Sequence, residues 1–206
     1  MEKIPNCATA FAELIATCAT KVKPHGYVRR GATLRCRLQD YETIINFQKS
    51  SKSTSQAVEF TVNLGVCSLY ILSAESPEEP VNALTIQDCQ WHERLGFLLP
   101  SRSDVWWRVD DSTDNLALSA MLANSLEEIA VPLLANYAND VSLLALWKTE
   151  RSPGIGALER MIFQSLLMKR AGQLAEVDQV LSQLRAFSAG KPWAWRAEQH
   201  ILTMAK

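Results

Sequence analysis

Cys89 and His92 stand three residues apart, a spacing that lets a thiolate and an imidazole share a metal ion, and Asp104 could complete a nucleophile, base and orienting acid. Neither chemistry has enough support. A zinc site needs three or four converging ligands, the remaining histidines are His25 and His200, and no Cys-x-x-Cys pair or nucleophile elbow occurs. Gly154-Ile155-Gly156 lacks the third glycine of a dinucleotide loop and follows no strand pattern. The carboxylate pairs Glu78-Glu79 and Asp110-Asp111 fall in loop-like stretches and read as solvated charge. No catalytic residue, metal or cofactor is therefore assigned.

The residues that suggest recognition lie on strands. Alternation places Asn46 with Gln48 on one side of a strand, and Glu59, Thr61 and Asn63 on the polar side of the next. Arg35 and Arg37 occupy the polar side of the strand before them. Amides both donate and accept, and a guanidinium offers a planar fork, so the set suits an anionic or amide-bearing partner. The competing reading is a solvated face whose amides pair across strands. Trp106 and Trp107 alternate faces on any strand, which puts one ring in the core and one beside the polar groups. Lys21 to Gln39 holds six basic residues and no acid, whereas Glu75 to Glu93 holds five acids and no Lys or Arg. Such patches can dock on each other inside the chain, the favoured expectation, or face a partner.

These residues need elements to hold them. Ile4, Cys7, Phe11, Leu14, Ile15, Cys18 and Val22 recur at helical spacing, ended by Pro24 and Gly26. From Gly26 to Leu72 the period becomes two, with strands over Ala32 to Leu38, Tyr41 to Lys49 and, most clearly, Val58 to Val66. Ala74 to Asn82 reads as a solvated loop, and Arg94 to Leu99 with Val105 to Val109 as a strand pair around the turn Pro100 to Asp104. Beyond Asp114 the period returns to 3.6. Helices are expected over Leu116 to Tyr137, kinked at Pro132, then Val141 to Thr149, Ile155 to Ala171, Leu174 to Phe187 and Trp193 to Met204. Leu174, Val177, Leu181 and Leu184 form the apolar stripe of the fourth.

The 206 residues carry 21 basic and 22 acidic side chains, a net charge of -1, and 48% are hydrophobic. That balance excludes disorder and a general nucleic-acid binder with a basic footprint. Five scattered cysteines read as buried hydrophobes of a reducing cytoplasm, and neither a signal peptide nor 18 consecutive apolar residues is present, so no membrane partner is expected.

Several blocks together carry a family likeness. His25-Gly26-Tyr27, Arg29-Arg30-Gly31, Ile45 to Ser50, Phe60 to Val66, Arg94-Leu95-Gly96 and Trp106-Trp107 resemble, in order and spacing, the bacterial domain-of-unknown-function family numbered 4304, over about residues 1–112. Leu34-Arg35-Cys36 departs from it where the family usually has an aromatic residue. The likeness implies a fold and supplies no reaction.

The expected fold is α+β: an antiparallel sheet packed by an N-terminal helix over residues 1–112, followed by a helical C-terminal segment, 113–206, packed on it. The expected function is a non-enzymatic binding module of a bacterial cytoplasm, an immunity-type protein that caps a toxin. Its contact surface would draw on Gln48, Lys49, Asn63, Arg35, Arg37, Arg94, Trp106 and Trp107. The alternative is a hydrolytic or nucleotide-handling enzyme that uses the same polar face.

Overall fold

A computed structural model of the protein describes residues 6–75, 84–149 and 151–205. The first helix, α1 (Cys7–Val22), begins where the Asn6 side chain accepts a hydrogen bond from the Ala8 N–H at 3.1 Å. Ile4, assigned to this helix from its spacing, lies outside the described residues. A short 3₁₀ turn over Lys23–His25 ends at Gly26, whose φ of 87° only glycine adopts readily.

Among the described residues six strands follow: β1 (Val28–Arg30), β2 (Thr33–Leu38), β3 (Tyr41–Lys49), β4 (Ala57–Ser68), β5 (Trp91–Arg94) and β6 (Trp107–Asp110). All pairings are antiparallel, in the order β1-β2-β3-β4-β5, with β6 also on β4. The 12 residues of β4 explain this arrangement. One edge runs along β3, while the other is long enough for β5 opposite Asn63 to Val66 and β6 opposite Ala57 to Phe60, end to end. Period-two patterning holds the register: Val58, Phe60, Val62, Leu64 and Val66 are all buried on one face, where the Phe60 ring lies 4.9 Å from Phe11 of α1.

Two expected elements change. Arg94 to Leu99 is not a strand pairing with Val105 to Val109. Only Arg94 belongs to a strand, as the end of β5, and Leu95–Leu98 turns into a one-turn helix, α3. A five-residue apolar run is compatible with either state, and here both flanking strands find partners on β4. Likewise α2 (Leu69–Glu75) takes over where strand and then loop were expected, burying Ile71 and Leu72. The rest of that expected loop lies outside the described residues.

The helices beyond β6 are α4 (Asn115–Ser125), α5 (Val131–Tyr137), α6 (Asp140–Lys148), α7 (Ala157–Arg170), α8 (Leu174–Ser188) and α9 (Ala194–Met204). Between α4 and α5 the turn widens to π geometry over Leu126–Ala130, and the Val131 N–H reaches Leu126 O. Pro132 follows at once, and its missing N–H and bulky ring would break a regular turn there. Residues 115–137 are the one described stretch with the length and hydropathy of a membrane span, and Leu122, Leu126 and Ala130 on it are fully buried. On α8 the buried stripe is Val177, Val180 and Leu184, while Leu174, expected within it, is 63% exposed. Residues of α1, the sheet and the later helices belong to one continuous apolar cluster.

Candidate binding surface on the polar face of the sheet

Register assembles the site. Asn46 lies opposite Asn63, and Asn63 opposite Arg94, so three strands bring their polar side chains into one row, with Gln48 one step along opposite Thr61. Asn63, 8% exposed, donates through Nδ2 to Oε1 of the exposed Gln48 at 2.9 Å. Asn46 Nδ2 donates to Thr33 Oγ1 at 2.9 Å, and Thr61 Oγ1 donates to Val105 O at 3.0 Å. The amides thus pair across strands, as the competing reading expects, yet Gln48 is exposed and lines a cleft of about 370 Å³ together with Asn63, His92, Arg94, Phe97 and Gly154.

One wall of that cleft comes from the loop between α6 and α7. The His92 N–H donates to Pro153 O at 3.3 Å, and a Cβ on Gly154 would stand 2.4 Å from the His92 ring. With φ at 84° as well, position 154 admits only glycine. The other wall carries Arg94, which is ion-paired with Asp104 and lies over the Trp106 ring at 5.1 Å from its centroid. Trp106 and Phe97 remain 39% and 43% exposed. Trp107 points the opposite way, its ring 5.9 Å from Phe60 in the core.

Four of the eight residues drawn on for a contact surface therefore gather, namely Gln48, Asn63, Arg94 and Trp106. The others are elsewhere. Lys49 lies opposite Phe60 at the exposed end of β3, and Trp107 is core. Arg35 pairs with Glu42 at 2.9 Å and donates to Leu84 O, while Arg37 donates to Gln39 O at 3.0 Å. What separates the two arginines from the cleft is the stretch Leu84 to Gln90, which covers the middle of the polar face and packs Leu84, Ile86 and Cys89 on Ile44 and Cys67. Gly65 makes this approach possible, since a Cβ there would meet Cys89 Sγ at 2.6 Å and Ile86 Cδ1 at 2.7 Å. Alternation assigns residues to a face and carries no information about what lies over it.

Among the described residues no ion pair joins the basic and acidic stretches; they meet instead through Arg35, which donates to Leu84 O. Lys21 and His25 face Glu127 of the π turn at 2.8 and 3.7 Å, whereas Glu75 faces Arg196 at 3.6 Å and Asp88 caps the Thr85 N–H at 2.6 Å. Glu78 and Glu79 lie outside the described residues.

The groups weighed for catalysis or metal binding are buried or engaged elsewhere. Burial pushes the Cys89 thiol well above its ordinary range, and Cys18 and Cys67 are raised to about 12 for the same reason. Asp104 is bound to Arg94, and Glu59 pairs with Arg108 at 3.5 Å. Among the described residues no three His, Cys, Asp or Glu side chains converge as a metal site, and all five cysteines are free and buried.

One arrangement does resemble a nucleophile, base and acid. Ser165 Oγ lies 2.7 Å from His200 Nε2, and His200 Nδ1 lies 3.7 Å from Glu75 Oε1. The serine, however, is fully buried and also 2.8 Å from Ile162 O. An oxygen enclosed in this way cannot meet a substrate, whichever proton it shares with the imidazole. These residues clasp α2, α7 and α9. Their separations of 90 and 35 positions left no local pattern from which sequence could find them.

Other residues of the blocks that carry the family likeness hold the fold. Buried Tyr27 accepts from Thr43 Oγ1 at 2.9 Å, and a Cβ on Gly96 would stand 2.4 Å from Ser103 O. A family model described as domain of unknown function (DUF4304) matches residues 18–136, more than half of the chain. No curated protein and no solved structure matches it.

Proposed function

The chain belongs to the DUF4304 family of unknown function, and from that premise we propose that it is a non-enzymatic binding module that holds a protein partner at the cleft beside Trp106. The observation that carries this reading is the exposed Trp106 ring with Arg94 laid across it, next to exposed Phe97 and exposed Gln48. Tryptophan and arginine are the residue types that dominate binding energy at protein interfaces. Arg94 is held in place by Asp104 and the ring before any partner arrives, which lowers the ordering cost of association. The amides and guanidinium of the cleft orient a partner and move no proton.

The partner class we propose is a toxin, neutralised stoichiometrically in a bacterial cytoplasm. The five free buried cysteines are compatible with such a reducing compartment. Co-purification with the product of the adjacent reading frame, together with a growth-rescue assay, tests this. A one-to-one complex is expected, with Trp106→Ala or Phe97→Ser weakening it by roughly thirtyfold or more, the loss expected of an interface hot spot. Turnover in broad hydrolase and nuclease screens that disappears with Glu59→Gln or His92→Ala would instead make the protein an enzyme and overturn the proposal.

A further inference from the structure

The sheet ends at β1, and its outer edge has no strand partner among the described residues. All three residues of β1 are exposed, Val28 to 63%. Pairing with β2 puts Val28 opposite Arg35 and Arg30 opposite Thr33, so both project to the polar face, while Arg29 projects to the other. There Val28 and Arg30 line a groove of about 310 Å³ together with Arg35, Arg37 and Glu42.

Charge in this groove is unequal. Glu42 answers Arg35 at 2.9 Å, but no carboxylate among the described residues lies within ion-pair distance of Arg30 or Arg37 in the groove, or of Arg29 on the opposite face. An open strand edge offers backbone N–H and C=O groups to any extended chain. Arg29 and Arg30 bias that offer: a second copy of β1 would set arginine near arginine, whereas an acidic strand meets complementary charge.

We infer that the outer edge of β1 takes an extended acidic segment of a partner protein as an added strand, with a carboxylate beside Arg30 and an apolar residue two positions along beside Val28. Backbone pairing supplies affinity, and the alternation of acid and apolar side chains supplies register and selectivity. Arg37, further along the same groove, takes a second carboxylate. The surface is distinct from the Trp106 cleft, from which Leu84 to Gln90 separates it, and it stands whether or not that cleft binds a toxin.

The test uses the full chain and a labelled synthetic peptide with alternating paired Glu and Val positions, about eight residues long so that it can span a strand. Anisotropy should show binding at low salt that weakens at about 0.5 M salt, with slowed hydrogen exchange of the Val28 to Arg30 amides. Arg30→Glu should weaken binding roughly tenfold or more and accept instead the peptide with Lys in place of Glu. Trp106→Ala should leave it unchanged, which keeps this result separate from the fate of the cleft. Four results each overturn the inference: equal binding to wild type and Arg30→Glu, no protection of β1, displacement by inorganic phosphate as effective as by unlabelled peptide, or self-association of the chain through β1. Tighter binding of a single-stranded oligonucleotide at the same groove overturns it as well.

Discussion

At the scale of single residues, the two amides at the centre of the polar face have different tasks. Asn63 is buried and spends an N–H on Gln48, so it positions its neighbour, while Gln48 is exposed and faces the cleft. Either change deletes the same hydrogen bond, and Gln48→Ala also leaves the nearly enclosed Asn63 NH₂ without its partner, whereas Asn63→Ala leaves only the exposed Gln48 oxygen to be rehydrated. Each is therefore expected to lower unfolding free energy by on the order of 1 kcal/mol. Gln48, the exposed member, should lose more binding. Denaturant titrations and partner capture on the same two proteins check this, and partner capture unchanged in both variants would make the pair purely structural. The pairing of Asn63 with Gln48 follows from strand alternation plus register. The stacking of Arg94 on Trp106 does not, because Trp106 lies outside any strand and is brought there by the excursion between β5 and β6.

At the scale of elements, close approach and charge clasps decide how the segments lie. Gly65 lets the Leu84 to Gln90 stretch touch the sheet, and a larger side chain must displace the buried Cys89 and Ile86. Gly65→Val should cost about 2 kcal/mol or more. The signature to measure is faster hydrogen exchange in residues 84–90 with β4 still protected. The clasp at Glu75 has a pH signature. Its hydrogen bond to His200, with the Arg196 guanidinium beside it, holds the carboxyl below the usual glutamate range despite partial burial. A carboxyl depressed on folding binds fewer protons than in the unfolded chain, so its contribution is full above the unfolded value and fades as pH falls through the folded one. Glu75→Gln should accordingly reduce stability at neutral pH and flatten its decline below about pH 4.5. Chemical denaturation across that range checks it; parallel curves for the two proteins would show that Glu75 has the same affinity for protons folded and unfolded.

At the scale of the whole molecule, the sheet and the later helices share an apolar cluster that runs from Phe11 and Phe60 through Leu122 and Leu126 to Ile162 and Leu184. A polar network also crosses between them. Arg170 of α7 bonds Asp40 of the β2–β3 turn, lies 3.5 Å from Asp140 of α6, and covers the Tyr70 ring at 5.0 Å. The Tyr41 hydroxyl donates to Asp140, which ties β3 to the same point. Such continuity predicts one cooperative transition. Far-UV circular dichroism, dominated by the helices, and the slowest-exchanging β4 amides should report the same unfolding free energy. Loss of helical signal at lower denaturant while β4 stays protected would separate the two regions.

The sequence alone determined what depends on neighbours along the chain. The alternation of Val58 to Val66 decides which face of β4 is apolar, the spacing of Phe11, Leu14 and Cys18 decides which side of α1 meets it, and Pro132 marks where the long helix must deviate. The α+β class and the family follow from those patterns and from the conjunction of motifs between His25 and Trp107. Tertiary structure decided what covers each face. Leu84, 49 positions from Arg35, takes that arginine out of the expected surface, and Gly154 meets His92 from the loop before α7. Residues 95–98, free to be strand or helix by their apolar run, became helical because β4 already supplied edges to the strands on either side. Local periodicity encodes orientation, whereas contacts between distant segments depend on which surfaces are left to bury once the sheet has formed.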